Sequence, residues 1–359
     1  MTTVPVSMTD VRGLVDGALR AAVGRLDPRT YRVAAYHLGW ADAEGHPRAA
    51  PAGKALRPAL ALLSARAAGA PQEGALPAAV AVELTHAFSL LHDDIMDGDR
   101  TRRHRPAAWA VFGEADAILA GDALLSLAGE VLLEAPGQGS GRAARSLAAA
   151  TRRLIGGQAR DLEFESRRTV GLDECVAMAS DKTAALLACS CAIGAVLDGA
   201  PEPLCTALAE FGADLGIAFQ LVDDLLGIWG DPKVTGKPAL SDLRSRKLSL
   251  PVVAALNAGT PQSERLAGLY AAPPGADDAD GEAARDAARD VADDAADAEL
   301  ARLEEMARLV EASGGRAWAE AEAGRRVERA AARIASAGLP AAVREEFLHI
   351  ADFVTGRDH

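Results

Sequence analysis

The sequence predicts an all-α protein that is large enough for one large domain or two ordinary ones. Its 359 residues are rich in Ala and Leu, and only 4% of them are aromatic. Strong helix formers dominate long stretches, and runs of β-branched residues are few. Apolar residues at helical spacing predict helices over, in chain order, residues 11–26, 59–68, 77–91, 115–133, 143–165, 172–197, 203–230, 248–258, 316–337 and 340–354.

Composition also bounds the partners and the location. The chain has 38 basic and 51 acidic residues, a net charge of −13, which makes it a poor binder of nucleic acid. Residues 1–10 lack the basic and apolar pattern of a signal peptide, and no uninterrupted apolar run reaches about 18 residues. The four cysteines form no CxxC pair and suit a reducing compartment. We therefore expect a cytoplasmic protein with no transmembrane segment and no nucleic-acid partner.

The domain is expected to span residues 10–359, after a disordered N-terminus of residues 1–9. Residues 271–299 differ in composition from the rest. From Asp277 to Glu305 the chain has twelve acidic and three basic residues. Such a composition is typical of a disordered or marginally helical segment. We interpret this stretch as an acidic insertion that carries no chemistry.

A cluster of charged residues follows the apolar run that ends at Leu91. Asp93 and Asp97 are four residues apart, so a helix places them on one face, with Asp94 on the flank. Carboxylates this close repel each other and raise each other's pKa unless a cation lies between them. Magnesium is commonly held by one or two carboxylates plus substrate phosphates. The guanidinium groups of two adjacent arginines then suit phosphate oxygens; these are Arg102 and Arg103.

This pattern predicts a diphosphate site, and the alternative is a solvated charged turn at a helix end. A second acidic pair favours the diphosphate site. Asp223 and Asp224 lie in an apolar helix, three residues after Gln220. Buried carboxylates are costly unless they are paired or bound to metal. Positive charge follows this pair at Lys237 and Lys247.

Other cations lie elsewhere in the chain. Lys182, next to Thr183, lies in an apolar helix and needs a partner anion there. Lys54 and Arg57 are three residues apart at a helix start, where they can hold an anion with help from the helix dipole. His86 lies about two turns before the first acidic cluster, on the same side of the helix. Taken alone, Lys54 and Arg57 also fit ordinary surface cations, and His86 also fits a histidine packed in the core.

Together these motifs resemble those of the trans-type isoprenyl diphosphate synthases, the polyprenyl synthetase family that includes the farnesyl and geranylgeranyl diphosphate synthases. The resemblance runs from about Gly53 to the C-terminus, without the acidic insertion. The matching motifs are, in chain order, Gly53-Lys54-Ala55-Leu56-Arg57-Pro58 (with Ala52 in place of a first Gly), Asp93-Asp94-Ile95-Met96-Asp97, Arg102-Arg103, Lys182-Thr183, Phe219-Gln220 with Asp223-Asp224, Gly236-Lys237, and Lys247.

The resemblance implies a single-domain, all-α isoprenoid-synthase bundle with a deep central cavity, usually a homodimer. It implies a metal site of about three Mg²⁺ ions, two held at Asp93 and Asp97 and a third at Asp223. The expected metal-site residues are Asp93, Asp94, Asp97, Asp223 and Asp224. It implies that the allylic diphosphate is bound by Arg102, Lys182, Lys237 and Lys247, and the diphosphate of isopentenyl diphosphate by Lys54, Arg57, His86 and Arg103. Thr183 and Gln220 would contact the reacting substrate.

The implied reaction is a head-to-tail condensation of isopentenyl diphosphate with an allylic diphosphate. Ionisation of an allylic diphosphate separates charge, so metal ions and cations must stabilise the leaving group. The allylic cation must be kept from water, and the dipoles of Thr183 and Gln220 would stabilise it. The catalytic residues are thus expected to be Asp93, Asp97, Lys182, Thr183, Gln220 and Asp223.

Product length is expected to depend on the residues below the first motif. Phe88 lies five residues before Asp93 and Ser89 four before, and no insertion separates Asp94 from Asp97. In the family this pattern resembles that of synthases with a twenty-carbon product. We therefore expect geranylgeranyl diphosphate, with farnesyl or longer polyprenyl diphosphates as alternatives.

One position departs from the family pattern, because residue 227 is Gly where the second motif usually has a third Asp. Asp231 is a candidate substitute, although it also fits an ordinary loop aspartate. Rival functions are a class I terpene cyclase, a weakly active partner subunit of a heteromeric synthase, and a metal phosphohydrolase. The predicted second diphosphate pocket argues against the cyclase, the complete first motif against the partner subunit, and the lack of further histidine ligands against the phosphohydrolase.

Overall fold

A computed structural model describes residues 6–48, 55–167, 169–232, 239–271 and 288–356 of the protein, and it confirms the all-α class. The α-helices are, in chain order, α1 (Val6–Val23), α2 (Pro28–His37), α3 (Leu56–Ala67), α4 (Leu76–Met96), α5 (Ala108–Phe112), α6 (Glu114–Leu133), α7 (Ser140–Ser166), α8 (Leu172–Ala179), α9 (Ala185–Leu197), α10 (Glu202–Trp229), α11 (Ser241–Arg244), α12 (Leu250–Leu256), α13 (Pro261–Ala271), α14 (Ala288–Ala312), α15 (Gly315–Ser336) and α16 (Ala341–Thr355). A 3₁₀ turn, Gln72–Ala75, precedes α4, and a π-helical turn, Ser180–Ala184, joins α8 to α9.

The two segments expected to be irregular are partly helical. Helix α1 begins at Val6, within the predicted disordered N-terminus. Helix α14 begins at Ala288, within the predicted acidic insertion, and continues past the end of that insertion. Residues 1–5 and 272–287 lie outside the described residues. From Ala288 onward the helix agrees with the alternative of a marginally helical segment that the composition left open.

A short β-hairpin was not expected from the sequence. Strands β1 (Thr101–Arg102) and β2 (Arg105–Pro106) pair antiparallel through a two-residue loop. The loop residues Arg103 and His104 both have positive φ, at 50° and 60°. Two-residue hairpin loops favour this backbone because its twist matches that of the strands, but it is uncommon for residues other than Gly and Asn. The hairpin therefore separates Arg102 in a strand from Arg103 in the turn.

The chain divides into two compact units. The first comprises Met1–Gly157, Ser180–Ile217 and Arg326–Arg357, and the second comprises Gln158–Ala179, Ala218–Arg325 and Asp358–His359. The prediction of one domain with a deep central cavity therefore stays a prediction.

In the first unit, α3 packs against α4 and α9. Helix α9 lies so close to α3 that a Cβ at Gly194 would be 2.1 Å from the Ala61 carbonyl oxygen. The buried Ser64 hydroxyl accepts a hydrogen bond from the Gly194 amide at 3.0 Å. The second unit has its own apolar core, formed by α10, α11, α12, α13 and α14 through Ile228, Leu243, Val252, Leu266, Met306 and Val310.

Three helical stretches are long and apolar enough to cross a membrane by length and composition: Gln72–Met96, Leu172–Leu197 and Glu202–Trp229. In their most apolar 18 residues, 67%, 67% and 61% respectively are buried inside the protein. The prediction of no transmembrane segment considered continuous apolar runs only, and it stays a prediction.

Candidate active site

The first acidic cluster lies at the C-terminal end of α4. Asp97 is the C-cap residue, and its amide donates to the Asp93 carbonyl oxygen at 2.8 Å. Gly98 follows with a φ of +67°, a conformation that ends the helix without the steric cost of a side chain. The C-terminal end of a helix carries partial negative charge, so it repels the Asp93 and Asp97 carboxylates. The cluster therefore needs cations from elsewhere.

One of these cations is Arg102, which binds Asp94. The Asp94 side chain is 1% exposed, and its oxygens accept hydrogen bonds from the Arg102 Nε at 2.7 and 2.8 Å. The Arg102 Nη2 lies 2.6 Å from Asp94 Oδ1. Asp94 and β1 together fix the guanidinium of Arg102 beside the cluster.

Asp93 and Asp97 provide oxygen donors of the kind that Mg²⁺ prefers. Burial raises the pKa of Asp93 to about 6, the Lys182 ammonium opposes the rise, and the Asp97 carboxylate adds to it. A carboxylate whose ionisation is disfavoured by its surroundings gains from a divalent cation. Both the oxygen donors of Asp93 and Asp97 and the repulsion between their negative charges thus favour a bound magnesium ion.

A second group of ionisable side chains surrounds a cavity that Arg103 of the hairpin turn also lines. Asp16, His37, Glu83, His86 and Arg103 are among the residues that line a small cavity of about 40 Å³. Burial raises the pKa of Glu83, while the charges of Arg57 and Arg103 lower it. The buried Arg57 Nε has no hydrogen-bond partner among the described residues. A buried guanidinium with an unused donor is suited to an anionic ligand.

Both histidines of this pocket are held neutral. Burial lowers the pKa of His37 to about 3, and the arginines of the hairpin act in the same direction. Burial also lowers the pKa of His86 far below its usual value, together with the charges of Arg57 and Arg103. Neutral imidazoles can still donate one hydrogen bond to an anion. Arg57, His86 and Arg103 were predicted from the sequence, whereas His37 and Glu83 were not.

Lys182 and Thr183 lie in the π-helical turn Ser180–Ala184. The sequence predicted an unbroken helix over residues 172–197, and the structure corrects this, since the turn separates α8 from α9. A π turn inserts one residue into the helical register and is frequently found at functional sites. The charge of Lys182 acts on Asp93, so this turn and the first acidic cluster face each other within the first unit.

The second acidic pair lies on the part of α10 that belongs to the second unit. Asp223 is exposed, whereas Asp224 is 2% exposed. The Asp224 carboxylate accepts hydrogen bonds from the Gln220 side-chain amide at 2.8 Å and from the Leu250 backbone amide at 2.9 Å. Its Oδ1 lies 3.6 Å from the Lys247 Nζ. Burial raises the pKa of Asp224 to about 6, against the effect of Lys247.

Lys247 lies among carboxylates of the second unit. Burial would lower the pKa of Lys247, but the carboxylates of Asp224, Asp242 and Asp223 outweigh burial and raise it. The ammonium therefore stays charged, and Asp224 holds it in place.

The structure accounts for Gly227, the departure from the family pattern. A Cβ at Gly227 would lie 2.4 Å from the Asp242 Cγ and Oδ2 and 2.6 Å from its Oδ1. Ser241 donates to the Gly227 carbonyl oxygen at 3.2 Å and keeps α11 against α10. The carboxylate of Asp242 thus occupies the space that a side chain at residue 227 would need. The substitution by Asp231 in the second motif stays a prediction.

Phe88 and Ser89 are buried on α4, one to two turns before the acidic cluster. The Phe88 ring packs edge-on against the His92 ring, with centroids 4.8 Å apart. The His92 Nε2 lies 3.1 Å from the Ile118 carbonyl oxygen, over Gly121, whose lack of a Cβ leaves room for the imidazole. Phe88 therefore has a fixed position between α4 and α6. Lys54 and Lys237, both predicted site residues, lie outside the described residues.

A sequence profile described as polyprenyl synthetase matches residues 46–287. The chain belongs to the polyprenyl synthetase family. It is 48% identical to a (2E,6E)-farnesyl diphosphate synthase of Mycobacterium bovis, over 96% of this chain and 90% of that protein. It is 48% identical to a geranylgeranyl diphosphate synthase of Mycobacterium tuberculosis, over 67% of this chain and 69% of that protein.

Among solved structures, a polyprenyl synthetase from Streptomyces coelicolor A3(2) superposes with a TM-score of 0.87 at 50% identity, covering 98% of this chain and 99% of that one. The resemblance inferred from the motifs is therefore confirmed, and so is the all-α isoprenyl synthase fold. As a polyprenyl synthetase, the protein is an enzyme, a trans-prenyltransferase.

Proposed function

We propose that this polyprenyl synthetase condenses isopentenyl diphosphate head-to-tail with an allylic diphosphate to give geranylgeranyl diphosphate. The observation that supports the proposal is that the chain holds two groups of side chains suited to different parts of two phosphate ligands. One is acidic and suited to metal, at Asp93 and Asp97, and the other is basic, at Arg57, His86 and Arg103. A terpene cyclase ionises one diphosphate and has no use for the second pocket.

The allylic diphosphate is assigned to the acidic sites. Asp93 and Asp97 would hold two Mg²⁺ ions and Asp223 a third, and magnesium bound there would neutralise the leaving diphosphate. Arg102 and Lys182 donate hydrogen bonds to its oxygens, and Lys237 and Lys247 add charge. Asp94 and Asp224, both buried and bound to cations, serve as positioning residues for Arg102 and Lys247.

The allylic cation is proposed to be stabilised by side-chain dipoles and shielded from water by apolar side chains. Thr183 and Gln220 stabilise it through oxygen dipoles, and apolar side chains exclude water. Gln220 donates through its Nε2 to Asp224 at 2.8 Å, and this hydrogen bond orients its side-chain amide. The double bond of isopentenyl diphosphate attacks the cation, and the departing diphosphate takes the proton that is lost. No covalent enzyme nucleophile is needed.

The diphosphate of isopentenyl diphosphate is assigned to the basic pocket. Arg57 and Arg103 supply guanidinium donors, His86 supplies a neutral N–H, and Lys54 completes the set as a proposal from the motif alone. Glu83 offsets the positive charge in the absence of ligand. This assignment predicts that charge removal at Arg57 or Arg103 raises the KM for isopentenyl diphosphate far more than that for the allylic substrate.

We attribute the twenty-carbon product length to Phe88, whose large side chain lies below the first motif and would stop further elongation. A second candidate, farnesyl diphosphate, is favoured by the 48% identity over 96% of the chain to a farnesyl diphosphate synthase. The test is to incubate the protein with magnesium, isopentenyl diphosphate and, separately, C5, C10, C15 and C20 allylic diphosphates, and to size the products by mass. Consumption of the C15 primer to give C20 supports our assignment, and a stop at C15 supports the second candidate.

The same assay tests the two rival functions. Release of diphosphate without elongation would establish a cyclase, and absence of turnover would point to a partner subunit. Phe88→Ala should extend the longest product by at least one C5 unit, because it removes the side chain proposed to block further growth of the product chain. Ile155→Ala, which truncates an exposed apolar side chain on α7, should leave the product length as it is.

The active form is proposed to be a cytoplasmic homodimer. Helix α6 exposes large apolar side chains at Ile118 (42%), Leu119 (53%) and Leu133 (64%). Exposed apolar residues concentrated on one helix mark an interaction surface, and a two-fold symmetric dimer buries such a surface on both subunits. Sedimentation of the wild type and of Leu119→Glu would test it, with a dimer expected only for the wild type.

A further inference from the structure

We infer that Gly157 and Arg153 of α7 are positioning residues that hold the π turn in the conformation from which Lys182 and Thr183 reach the allylic diphosphate. This inference rests on the proposed roles of Lys182 and Thr183. It concerns how a strained element is maintained, since a π turn is less stable than the α-helix into which it could relax.

Two glycines lie against the π turn. A Cβ at Gly157 would lie 2.2 Å from the Lys182 amide nitrogen, 2.6 Å from its Cα and 2.8 Å from the Asp181 carbonyl carbon. On α10, a Cβ at Gly216 would lie 2.5 Å from the Ala184 Cα. Backbone atoms cannot yield as flexible side chains do, so α7 and α10 contact the turn only because both positions are glycine.

Polar contacts secure the start of the turn. The Arg153 Nε donates to the Asp181 Oδ1 at 2.7 Å, and its Nη2 donates to the Ser180 Oγ at 3.2 Å. Gly157 lies one turn after Arg153 on α7, so both face the π turn from the same side. A steric contact at Lys182 and an ionic contact at Asp181 thus act on consecutive residues.

The register of the turn decides where the lysine points. Loss of the inserted residue would rotate the following side chains by about 100°, the angle between successive residues of an α-helix. The ammonium of Lys182, which now acts on the charge of Asp93, would then face elsewhere. We therefore expect the KM for the allylic substrate to depend on Gly157 even though Gly157 contacts no substrate.

The chain provides matched controls for both residues. Gly156 is the neighbour of Gly157 on the same helix, and a Cβ there would have no heavy atom within 4 Å. Arg152 is the exposed neighbour of Arg153. Gly→Ala within a helix is favourable in itself, so Gly156→Ala should be at least as stable as the wild type.

The test compares kinetics for the two substrates. Gly157→Ala should raise the KM for the allylic diphosphate about tenfold or more and lower kcat, with the KM for isopentenyl diphosphate within about twofold of wild type. Gly156→Ala should match the wild type in kcat and in the KM values for both substrates. In a Lys182→Ala background, Gly157→Ala should add less than a twofold loss, because the two changes act on the same contact. A change in both KM values together, or full additivity, would show a general structural role and overturn the inference.

Arg153→Met keeps the inference testable if Gly157→Ala does not fold. The Arg153 side chain is 50% exposed, so its loss should not prevent folding. We expect a rise of about threefold in the allylic KM alone, against no change in Arg152→Met; equal values for the two variants would overturn the inference. If Lys182→Ala itself leaves the allylic KM and kcat unchanged, the proposed role of Lys182 is wrong. If only Lys182→Ala has an effect, that role stands and the inference about Gly157 and Arg153 fails.

Discussion

The two acidic pairs are built alike although they belong to different units of the chain. In each pair the second aspartate is buried and held by a cation that follows it in the sequence, Arg102 for Asp94 and Lys247 for Asp224. The first aspartate of each pair is more accessible. In a pair of adjacent aspartates on a helix, successive side chains point about 100° apart, so one can face the core while the other faces a ligand.

The pairs differ in how the third carboxylate is supplied. In the first cluster Asp97 comes from the same helix end, one turn after Asp93. In the second, position 227 is Gly and the carboxylate beside it belongs to Asp242 on α11. The carboxylate of Asp242 therefore lies where a third aspartate of the second motif would place its side chain.

The largest expected effect is at the accessible member of the first pair. Asp93→Ala should lower kcat by about 10³-fold or more, because metal-assisted charge stabilisation contributes several kcal/mol to such a barrier. The melting temperature should stay near that of the wild type. Asp99→Ala, a nearby aspartate outside the motif, is the control, and equal losses in the two variants would remove Asp93 from the metal site.

Substitution of the buried aspartate of the second pair should lower the stability of the fold. Asp224→Ala removes the acceptor of the Gln220 side-chain amide and of the Leu250 backbone amide, so we expect a loss of roughly 1–3 kcal/mol in the free energy of unfolding. Asp223→Ala should cost less than about 1 kcal/mol, since Asp223 is exposed. Urea denaturation measures both. A similar loss for the two variants would break the division of roles within the pair.

The role of Asp242 can be tested by moving its carboxylate. Asp242→Ala should raise the Mg²⁺ concentration for half-maximal rate by about tenfold, the usual cost of losing a group that supports a metal ligand. Gly227→Asp in that background places a carboxylate in the vacated space and should restore most of the affinity. Asp231→Ala should change nothing. Loss of magnesium affinity in Asp231→Ala, with none in Asp242→Ala, would reinstate the substitute suggested by the sequence.

The smallest effect at neutral pH concerns the cavity that His37, Glu83 and His86 line in the first unit. The pKa of His37 is about 3 in the folded protein, below the unfolded value near 6.5. Between these values the unfolded state binds the extra proton, so stability falls as the pH is lowered from about 6.5 towards 3. His37→Asn should reduce this slope by about 1 kcal/mol per pH unit. A slope equal to that of the wild type would mean that the pKa of His37 is not lowered in the folded protein.

The sequence predicted the residues of the site better than their surroundings. Four candidate residues could be predicted because carboxylates one helical turn apart, followed by paired arginines, are typical of a site for metal and phosphate; they are Asp93, Asp97, Arg102 and Arg103. The separation of Arg102 from Arg103 by a hairpin turn could not, because positive φ at Arg103 and His104 contradicts the usual turn preferences.

Tertiary contacts account for the remaining surprises. Residues 172–197 have the pattern of one helix, and the π turn within them packs against Gly157 and Gly216, one distant in the sequence on α7 and the other on α10. Asp242 lies fifteen positions after Gly227, and only packing of α11 on α10 shows that they meet. His37 and Glu83 carry no motif signal, and their role is visible only from the cavity that they line.

The most direct test of the division of roles is the thermal shift that Mg²⁺ with inorganic pyrophosphate produces in four variants: Asp93→Asn, Asp94→Asn, Asp223→Asn and Asp224→Asn. We expect the Asp93 and Asp223 variants to melt like the wild type without ligand and to lose most of the shift. The Asp94 and Asp224 variants should melt several degrees lower without ligand and keep the shift. Equal shifts and equal melting temperatures within each pair would contradict the assignment of one aspartate to the metal and the other to the protein.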